Sequence, residues 1–307
     1  MDNLQTHINN YLKHCEFQKR LDSKTLKAYR TDLIQFKEQT LTNNIYDITI
    51  DALEKFIASL HQKYTPKTVK RKIASLKAFF HYLEYKDIIT INPFYKIQVK
   101  FREPVILPKT IPLNTIETLL STIYCYQKNA KTIYQQKNAI RDVAILELLF
   151  ATGIRISELC SLHPQDVNLY TKTILIYGKG SKERLLHIGN DDVLQALIKY
   201  KEEFNTQISK CNYFFVTQKG TVLSDQCVRY MILKYCSLSS IDLHITPHMF
   251  RHTFATSLLE ADVDIRYIQE MLGHSSINVT EIYTHVAMTK QKAILTTKHP
   301  RRNFHLE

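Results

Sequence analysis

A run of histidine, arginine and tyrosine late in the chain has the side chains to handle a phosphodiester. Residues 246–285 read TPHMFRHTFATSLLEADVDIRYIQEMLGHSSINVTEIYTH. They supply imidazoles at His248 and His274, a guanidinium at Arg251 and a phenol at Tyr283. A guanidinium forms bidentate hydrogen bonds with phosphate oxygens, and an imidazole titrates near neutral pH. Together these residue types predict an anion site, and the anion that suits them all is a phosphodiester.

Short helices must position these groups. Pro247 suits a first helical position, and the apolar residues after it recur at helical spacing, so we predict a helix there. His248 and Arg251 lie three residues apart and therefore share one face of that helix, whereas His252 falls on a different part of it. A second helix is predicted to end at Gly273, because glycine has the conformational freedom that a C-terminal cap requires.

Length and charge narrow the class of partner. The chain has 307 residues, enough for two domains, and a net charge of +12 with a pI near 9.3. This balance favours a polyanionic partner, either a nucleic acid or an anionic membrane surface. No apolar run is long enough to span a bilayer, and the first residues lack the apolar core of a signal peptide, so we expect a cytoplasmic protein. The six cysteines are scattered without a C-x-x-C pair, which indicates reduced thiols and neither a disulfide framework nor a zinc site.

The positive charge is concentrated in a helical N-terminal region. Residues 1–92 show helical periodicity and are predicted to form an all-helical domain. Residues 1–110 hold 19 Lys+Arg against 11 Asp+Glu, a net of +8, and residues 111–307 hold 22 against 18, a net of +4. The stretch 93–112 contains four prolines and has no steady period, so we predict an extended linker. Residues 113–307 then form the second domain.

The fourth predicted helix, which opens at Pro66, is densely basic. A basic helix is often no more than a solvated surface, but the uneven charge distribution favours contact with a phosphate backbone. Basic residues of the linker continue the same positive charge. The residues predicted to bind DNA are Lys67, Lys70, Arg71, Lys72, Lys77, Lys96, Lys100 and Arg102.

The second domain mixes helices with a few short strands. Two β-like runs, 173–177 and 184–188, flank a glycine-rich turn at 178–183, and this composition is typical of a hairpin. A third short strand is predicted at 213–217. A strongly apolar helix is predicted to end just before Arg155, which places that side chain beyond a helix terminus.

Five motifs occur in order along the chain. They are Ala151-Thr-Gly-Ile-Arg155-Ile-Ser-Glu-Leu159, Gly178-Lys179-Gly180 before Lys182-Glu-Arg184, Thr246-Pro-His248-Met-Phe-Arg251-His252, Leu272-Gly-His274-Ser275, and Ile282-Tyr283-Thr-His285. Together they resemble the motifs of the tyrosine recombinase family, also called phage-type integrases, and of its Xer branch in particular. The resemblance covers essentially the whole chain. One departure is the segment 124–138, which is longer than the surface loop usual at this place.

The resemblance implies a fold that is mainly α with a small antiparallel β-sheet. The N-terminal helices would form a SAM-like core-binding domain, and an α+β catalytic domain would follow, the two closing as a C-shaped clamp around DNA. The catalytic domain would include a C-terminal tail, 288–307, of which residues 288–300 would dock on a neighbouring protomer.

The resemblance also implies an enzyme that cuts a DNA strand through a 3′-phosphotyrosyl intermediate and rejoins it to a partner strand by way of a Holliday junction. Tyr283 matches the nucleophile. A phenol with a pKa near 10 is a poor nucleophile at neutral pH, so it needs a base, for which His248 is the candidate. Arg155 and Arg251 match the two guanidinium groups that stabilise the negative charge of the transition state.

Further residues complete the implied site. Lys179 matches the general acid that protonates the leaving 5′-oxygen, and Lys182 is a second candidate for that role. His274 is expected to hydrogen-bond a phosphate oxygen and to help position the nucleophile. Glu158 and His252 are expected to support their neighbours, Glu158 through an ion pair with the nearby arginine. No metal ion or other cofactor is implied, because the arginines supply the positive charge.

The implied partner is a double-stranded DNA recombination site. A homotetramer would synapse two such sites, alone or with a paralogue, in the cytoplasm of a bacterium and at its nucleoid, with no membrane involved. Resolution of chromosome dimers and movement of a mobile element both stay open. The absence of an arm-binding N-terminal domain leans toward a Xer-type or simple-element recombinase.

Three other classes fit part of the pattern. A type IB topoisomerase shares the Arg, Lys, His and Tyr chemistry but not the Xer-like N-terminal helices. A site-specific DNA-binding protein without catalysis would not need the full set of candidate catalytic residues. A zinc enzyme that used His248 and His252 would lack both the glutamate of the H-E-x-x-H pattern and a third ligand.

Overall fold

Two compact units divide the chain, Met1–Val105 and Ile106–Glu307. The computed structural model describes residues 3–40, 42–99, 109–178 and 183–273. Helices dominate this part of the chain, and one antiparallel sheet of three strands accompanies them. The predicted fold class is therefore confirmed. In the same ranges, no helix is both long and apolar enough to cross a membrane.

Amphipathic helices build the first unit around an aromatic core. The ring of Phe36 packs edge-on against Phe56 and Phe80, with centroids 5.1 and 6.0 Å apart. All three side chains are buried, and burial of each stabilises the fold by about 1.5–3 kcal/mol. The helices of this unit are α1 (Leu4–Phe17), α2 (Ser23–Thr40), α3 (Ile50–Lys63) and α4 (Pro66–Tyr85).

The first residues of the predicted linker belong to this core. A short 3₁₀ turn begins at Pro93, where the side chain of Asn92 accepts a hydrogen bond from the Phe94 backbone N–H at 3.0 Å. The turn buries Phe94 and Ile97, and the Phe94 ring lies 5.4 Å from that of Phe80. The prediction of an extended linker from residue 93 is therefore wrong for its first residues, because their apolar side chains fold back onto the helices.

The second unit is organised around one helix that is buried on most sides. Helix α6 packs against α5, α8 and α11, and its side chains from Ala139 to Leu149 are almost all buried. The helices of this unit are α5 (Leu113–Lys128), α6 (Ile133–Thr152), α7 (Ile156–Cys160), α8 (Asp191–Glu203), α9 (Asn205–Cys211), α10 (Asp225–Leu238), α11 (Pro247–Glu260) and α12 (Ile265–Leu272).

The segment 124–138 is mostly helical and does not form the long surface loop expected from the sequence. Helix α5 continues to Lys128, and α6 already begins at Ile133. The Thr132 hydroxyl accepts a hydrogen bond from the Gln135 backbone N–H, and the Gln135 side chain accepts one from the N–H of residue 131, both at 3.1 Å. The reciprocal bonds resemble a capping box, which the Thr-x-x-Gln spacing could have revealed.

The sheet has the order β1-β2-β3 and is antiparallel throughout. Ile174 lies opposite Leu186, and Ile176 lies opposite Arg184. The strand predicted at 213–217 is absent from this sheet, although Val216 forms an isolated antiparallel bridge with Val222. The third strand of the sheet is β1, which has two residues and was not predicted. The strands are β1 (Val167–Asn168), β2 (Thr173–Tyr177) and β3 (Glu183–His187).

Candidate active site

Arg155 stands at a sharp turn between two helices. Helix α6 ends at Thr152 and is capped by Gly153, whose φ of +59° suits glycine, and Arg155 occupies the N-cap position of α7. A Cβ atom added at Gly153 would lie 2.7 Å from Cδ1 of Phe254 and 3.0 Å from Cδ2 of Leu272. The absence of a side chain therefore lets α11 and α12 approach the turn that carries Arg155.

Glu158 binds two arginines from different elements. One carboxylate oxygen accepts a 2.7 Å bond from Nη1 of Arg155, and the other accepts the Arg155 backbone N–H at 3.0 Å. The guanidinium of Arg184, on β3, donates to both oxygens at 3.1 and 2.6 Å. Burial opposes ionisation of Glu158, but the bonds from Arg184 and from the Arg155 backbone outweigh it, so the pKa of Glu158 falls below its usual value.

Arg251 lies beneath the same turn. Its side chain is buried, and it donates from Nη1 to the carbonyl oxygen of Gly153 at 2.9 Å and from Nη2 to that of Leu272 at 2.6 Å. Burial and the positive charges of Arg155 and Arg184 lower the pKa of Arg251. The positive charge of Arg155 thus acts on Arg251, although the two residues lie on different helices.

Arg184 is the member of this cluster for which the sequence motifs predict no role. Its side chain is 7% exposed, and Nε donates to the carbonyl oxygen of Met271 at 2.8 Å. The sequence did contain a signal for this burial. Arg184 and Leu186 lie two residues apart on a strand and therefore share one face, and the apolar Leu186 marks that face as the inward one. A charged residue at an inward position of a strand predicts a buried partner of opposite charge.

The histidines of α11 differ in exposure. His248 is exposed on the first turn of the helix, and His252 is partly buried one turn later. On the helix face that His248 and Arg251 were predicted to share, His248 is therefore exposed to solvent and Arg251 is buried. Among residues 3–40, 42–99, 109–178 and 183–273, no group of three or more His, Cys, Asp and Glu side chains could hold a metal ion.

Several predicted site residues lie outside the described residues. Gly178 and Glu183 mark the two sides of the turn that would carry the general acid, and Gly273 ends α12 with a φ of +63°. The end of α12 at Gly273 is as predicted. The residues that fall outside are Lys100, Arg102, Lys179, Lys182, His274, Tyr283 and the tail 288–307.

Lys72 is not part of an exposed basic surface. Its ammonium is buried and bonds to the buried carboxylate of Asp32 at 3.0 Å and to the Gln35 side chain at 2.6 Å. The prediction that Lys72 binds a DNA phosphate is therefore wrong, because its charge is already used inside the unit. Arg71 binds the same Asp32 but keeps 46% of its side chain exposed. The other predicted DNA-binding residues of the described chain, Lys67, Lys70, Lys77 and Lys96, are exposed.

Comparison with known proteins agrees with the motifs. Residues 122–290 match the model of the phage integrase family, and residues 8–86 match that of the phage integrase N-terminal SAM-like domain. A tyrosine recombinase of Agathobacter rectalis is 67% identical over 305 residues, which cover 99% of this chain and 100% of the relative. The chain belongs to the tyrosine recombinase family.

A Xer protein is among the relatives of the recombinase, and a solved Xer structure shares its fold. The tyrosine recombinase XerD of Staphylococcus saprophyticus is 34% identical over 306 residues, covering 97% of this chain and 100% of the relative. The XerH site-specific recombinase, solved with a palindromic difH substrate after cleavage, shares the fold with a TM-score of 0.73 at 24% identity, over 93% of this chain and 84% of that chain. The protein is a site-specific DNA recombinase, an enzyme that breaks and rejoins DNA strands.

Proposed function

We propose that the recombinase cleaves DNA by attack of the Tyr283 phenol on a phosphodiester held between Arg155 and Arg251. The observation that carries this proposal is the joint anchoring of both guanidinium groups. Arg251 uses two of its five N–H groups on the carbonyls of Gly153 and Leu272, and Arg155 uses one on Glu158, within the described chain. Each guanidinium therefore keeps donors for a phosphate oxygen.

Electrostatics favours an anion between these two arginines. Burial makes the charge of Arg251 costly, and the nearby like charge of Arg155 raises that cost further. A phosphodiester supplies a negative charge at this place, and its transition state carries more charge on the non-bridging oxygens. The same contacts therefore strengthen as the reaction proceeds, which is the condition for catalysis.

The remaining steps need a base and an acid. His248 takes the phenolic proton as Tyr283 attacks phosphorus, and the bond between phosphorus and the 5′-oxygen breaks. Lys179 gives a proton to the leaving 5′-oxygen, and His274 holds a phosphate oxygen. Glu158 orients Arg155 through their ion pair, and His252 supports its neighbours on α11.

A suicide substrate tests the nucleophile. A duplex that the protein itself selects from random DNA is nicked beside the scissile phosphate, so that a short fragment diffuses away and the covalent adduct accumulates. Tyr283→Phe should bind this DNA and form no adduct on a denaturing gel. Tyr267→Phe is the matched control, because Tyr267 is 61% exposed on α12, and it should form the adduct normally. An adduct in Tyr283→Phe would contradict the proposal.

The biological substrate is a pair of double-stranded sites synapsed by four protomers. The XerH complex supports the DNA site, since that recombinase was solved with a palindromic difH substrate. Deletion of residues 289–307 should leave binding to one site intact and abolish synapsis, as measured by the mass of the protein–DNA complex in solution. Paired sites should yield Holliday junctions with the full chain. Relaxation of supercoils without junctions would favour a type IB topoisomerase instead.

A further inference from the structure

Arg184 joins three separate parts of the second unit. It lies on β3 opposite Ile176 of β2, so it belongs to the hairpin whose turn contains Lys179. Its guanidinium reaches Glu158 of α7 through two hydrogen bonds and the Met271 carbonyl of α12 through a third. One side chain thus ties the base of the hairpin to both the Arg155 turn and the last turn of α12.

The guanidinium of Arg184 is closely surrounded by its hydrogen-bond acceptors and by α12. Nε, Nη1 and Nη2 each have a separate acceptor, and the side chain is 7% exposed. A Cβ atom at Gly273 would lie 3.0 Å from both Cδ and Nη1 of Arg184, so glycine at the end of α12 also leaves room for the guanidinium. A lysine ammonium is a point charge and cannot place three donors in this planar arrangement.

We propose that Arg184 is a positioning residue that fixes the hairpin carrying Lys179 against Glu158 and the carboxyl end of α12, so that the general acid meets the leaving 5′-oxygen. This inference rests on the proposed function. It assigns to Arg184 an effect on leaving-group protonation in addition to any effect on folding.

Substitution of Arg184 is expected to affect mainly the hairpin, because Glu158 and the end of α12 each have a second hydrogen bond to another arginine. The end of α12 also accepts a bond from Arg251 at the Leu272 carbonyl, and Glu158 still binds Arg155 when Arg184 is changed. The guanidinium of Arg184 is, in contrast, the hydrogen-bonded link from β3 to this cluster within the described chain. Its loss therefore frees the hairpin more than it frees the paired arginines.

The test compares two leaving groups. Single-turnover cleavage at saturating enzyme is measured for Arg184→Lys on a nicked substrate with the natural 5′-oxygen and on one with a 5′-bridging sulfur, which leaves without a proton. We expect cleavage of the oxygen substrate to fall about 100-fold, as for a misplacement of about 1 Å. On the sulfur substrate, at least tenfold of that loss should be recovered.

Arg141→Lys is the matched control, because Arg141 is also largely buried and binds the buried Asp142, 2.7 Å away. It should lower the melting temperature and leave the ratio of the two rates unchanged.

The outcomes separate this inference from the proposed function. The inference is supported if Arg184→Lys cleaves the oxygen substrate at least tenfold more slowly, regains at least tenfold of that loss on the sulfur substrate, and binds DNA with unchanged affinity. A smaller loss, or a loss that sulfur does not recover, would overturn it, provided that Lys179→Ala is itself rescued by sulfur. Failure of that rescue in Lys179→Ala would refute the role of Lys179 as the general acid, and with it this inference, whereas attack by Tyr283 is tested separately by Tyr283→Phe.

Discussion

The guanidinium of Arg251 donates a 2.9 Å hydrogen bond to the carbonyl oxygen of Gly153, 98 residues earlier in the chain. This bond fixes α11 to the turn from which Arg155 projects. Because the acceptor is a backbone atom, the distance between the two arginines depends on the path of the main chain at Gly153. Substitutions at this turn should therefore affect both stability and cleavage.

Gly153→Ala should destabilise the fold and slow cleavage. Alanine at a φ of +59° costs about 1 kcal/mol, and its Cβ would meet the Phe254 ring at 2.7 Å, which adds a cost of about 1–3 kcal/mol for overpacking. Urea unfolding measures the change. Gly189→Ala is the control, because a Cβ added there would have no neighbouring atom within 4 Å, and it should leave unfolding and cleavage unchanged. Equal stability of the two variants would contradict the packing argument.

Arg251→Lys should reduce cleavage of the suicide substrate by roughly 10²–10³-fold, the range for removal of one transition-state donor. Lysine cannot bind the Gly153 and Leu272 carbonyls and still present a fork of donors to phosphate. DNA affinity should change only a few-fold, since most of it comes from contacts elsewhere on the backbone. Arg266→Lys, at an exposed position of α12, should cleave normally. Cleavage within threefold of the unmodified rate in Arg251→Lys would remove Arg251 from the site.

The stabilising effect of Glu158 should depend on pH. Its folded pKa lies below that of a free carboxyl group, so its contribution is fully present above the ordinary pKa of about 4.3 and is lost as the pH falls through the folded value. Glu158→Gln breaks a buried ion pair and should cost about 3–5 kcal/mol at neutral pH. The difference in melting temperature from the unmodified protein should shrink below about pH 4. A difference in melting temperature that stays constant across pH would show that the charge of Glu158 does not contribute to stability. Glu202→Gln, at an exposed position, is the control for loss of a carboxylate that is not buried.

Lys67 and Lys72 should behave oppositely although they lie five residues apart. Lys67→Ala should lower the slope of log affinity against log salt by about one and leave stability unchanged, because an exposed phosphate contact is lost. Lys72→Ala should lower the melting temperature and leave the salt slope intact, because the Lys72 ammonium binds Asp32 inside the unit. A reduced slope in Lys72→Ala, with unchanged melting, would contradict the buried ion pair.

The sequence was sufficient to predict most of the helices and the hairpin, because the signals for these elements lie within the elements themselves. Apolar residues recur at 3.6-residue spacing in helices such as α4, and prolines and glycines mark ends such as Pro66, Gly153 and Gly273. The family motifs also pointed to Arg155 and Arg251, which the structure brings together. Their common anchoring at one turn could not be predicted, because it depends on contacts between residues far apart in the chain.

The failures share the same cause. Lys72 looks like a surface charge in the sequence, and only tertiary packing shows that it is paired with a buried carboxylate. The strand pattern marks Arg184 as an inward-facing charge, but it does not reveal that the partner is Glu158. Phe94 was hidden in a proline-rich stretch that resembles a linker, and its burial depends on the ring of Phe80. Periodicity describes one element at a time, so it cannot reveal which partner another element supplies.

The long sequence separations within the arginine cluster also order events during synthesis. Glu158 leaves the ribosome before Arg184, and the acceptor of Arg251 at Leu272 is made later still. Contacts between residues so distant in sequence form late in folding, because they require the chain between them to be closed into a loop. A nascent chain that has not reached Leu272 therefore lacks an acceptor that orients Arg251. If Arg251 acts as proposed, such incomplete chains should not cut DNA strands, even when their basic N-terminal unit has already been made.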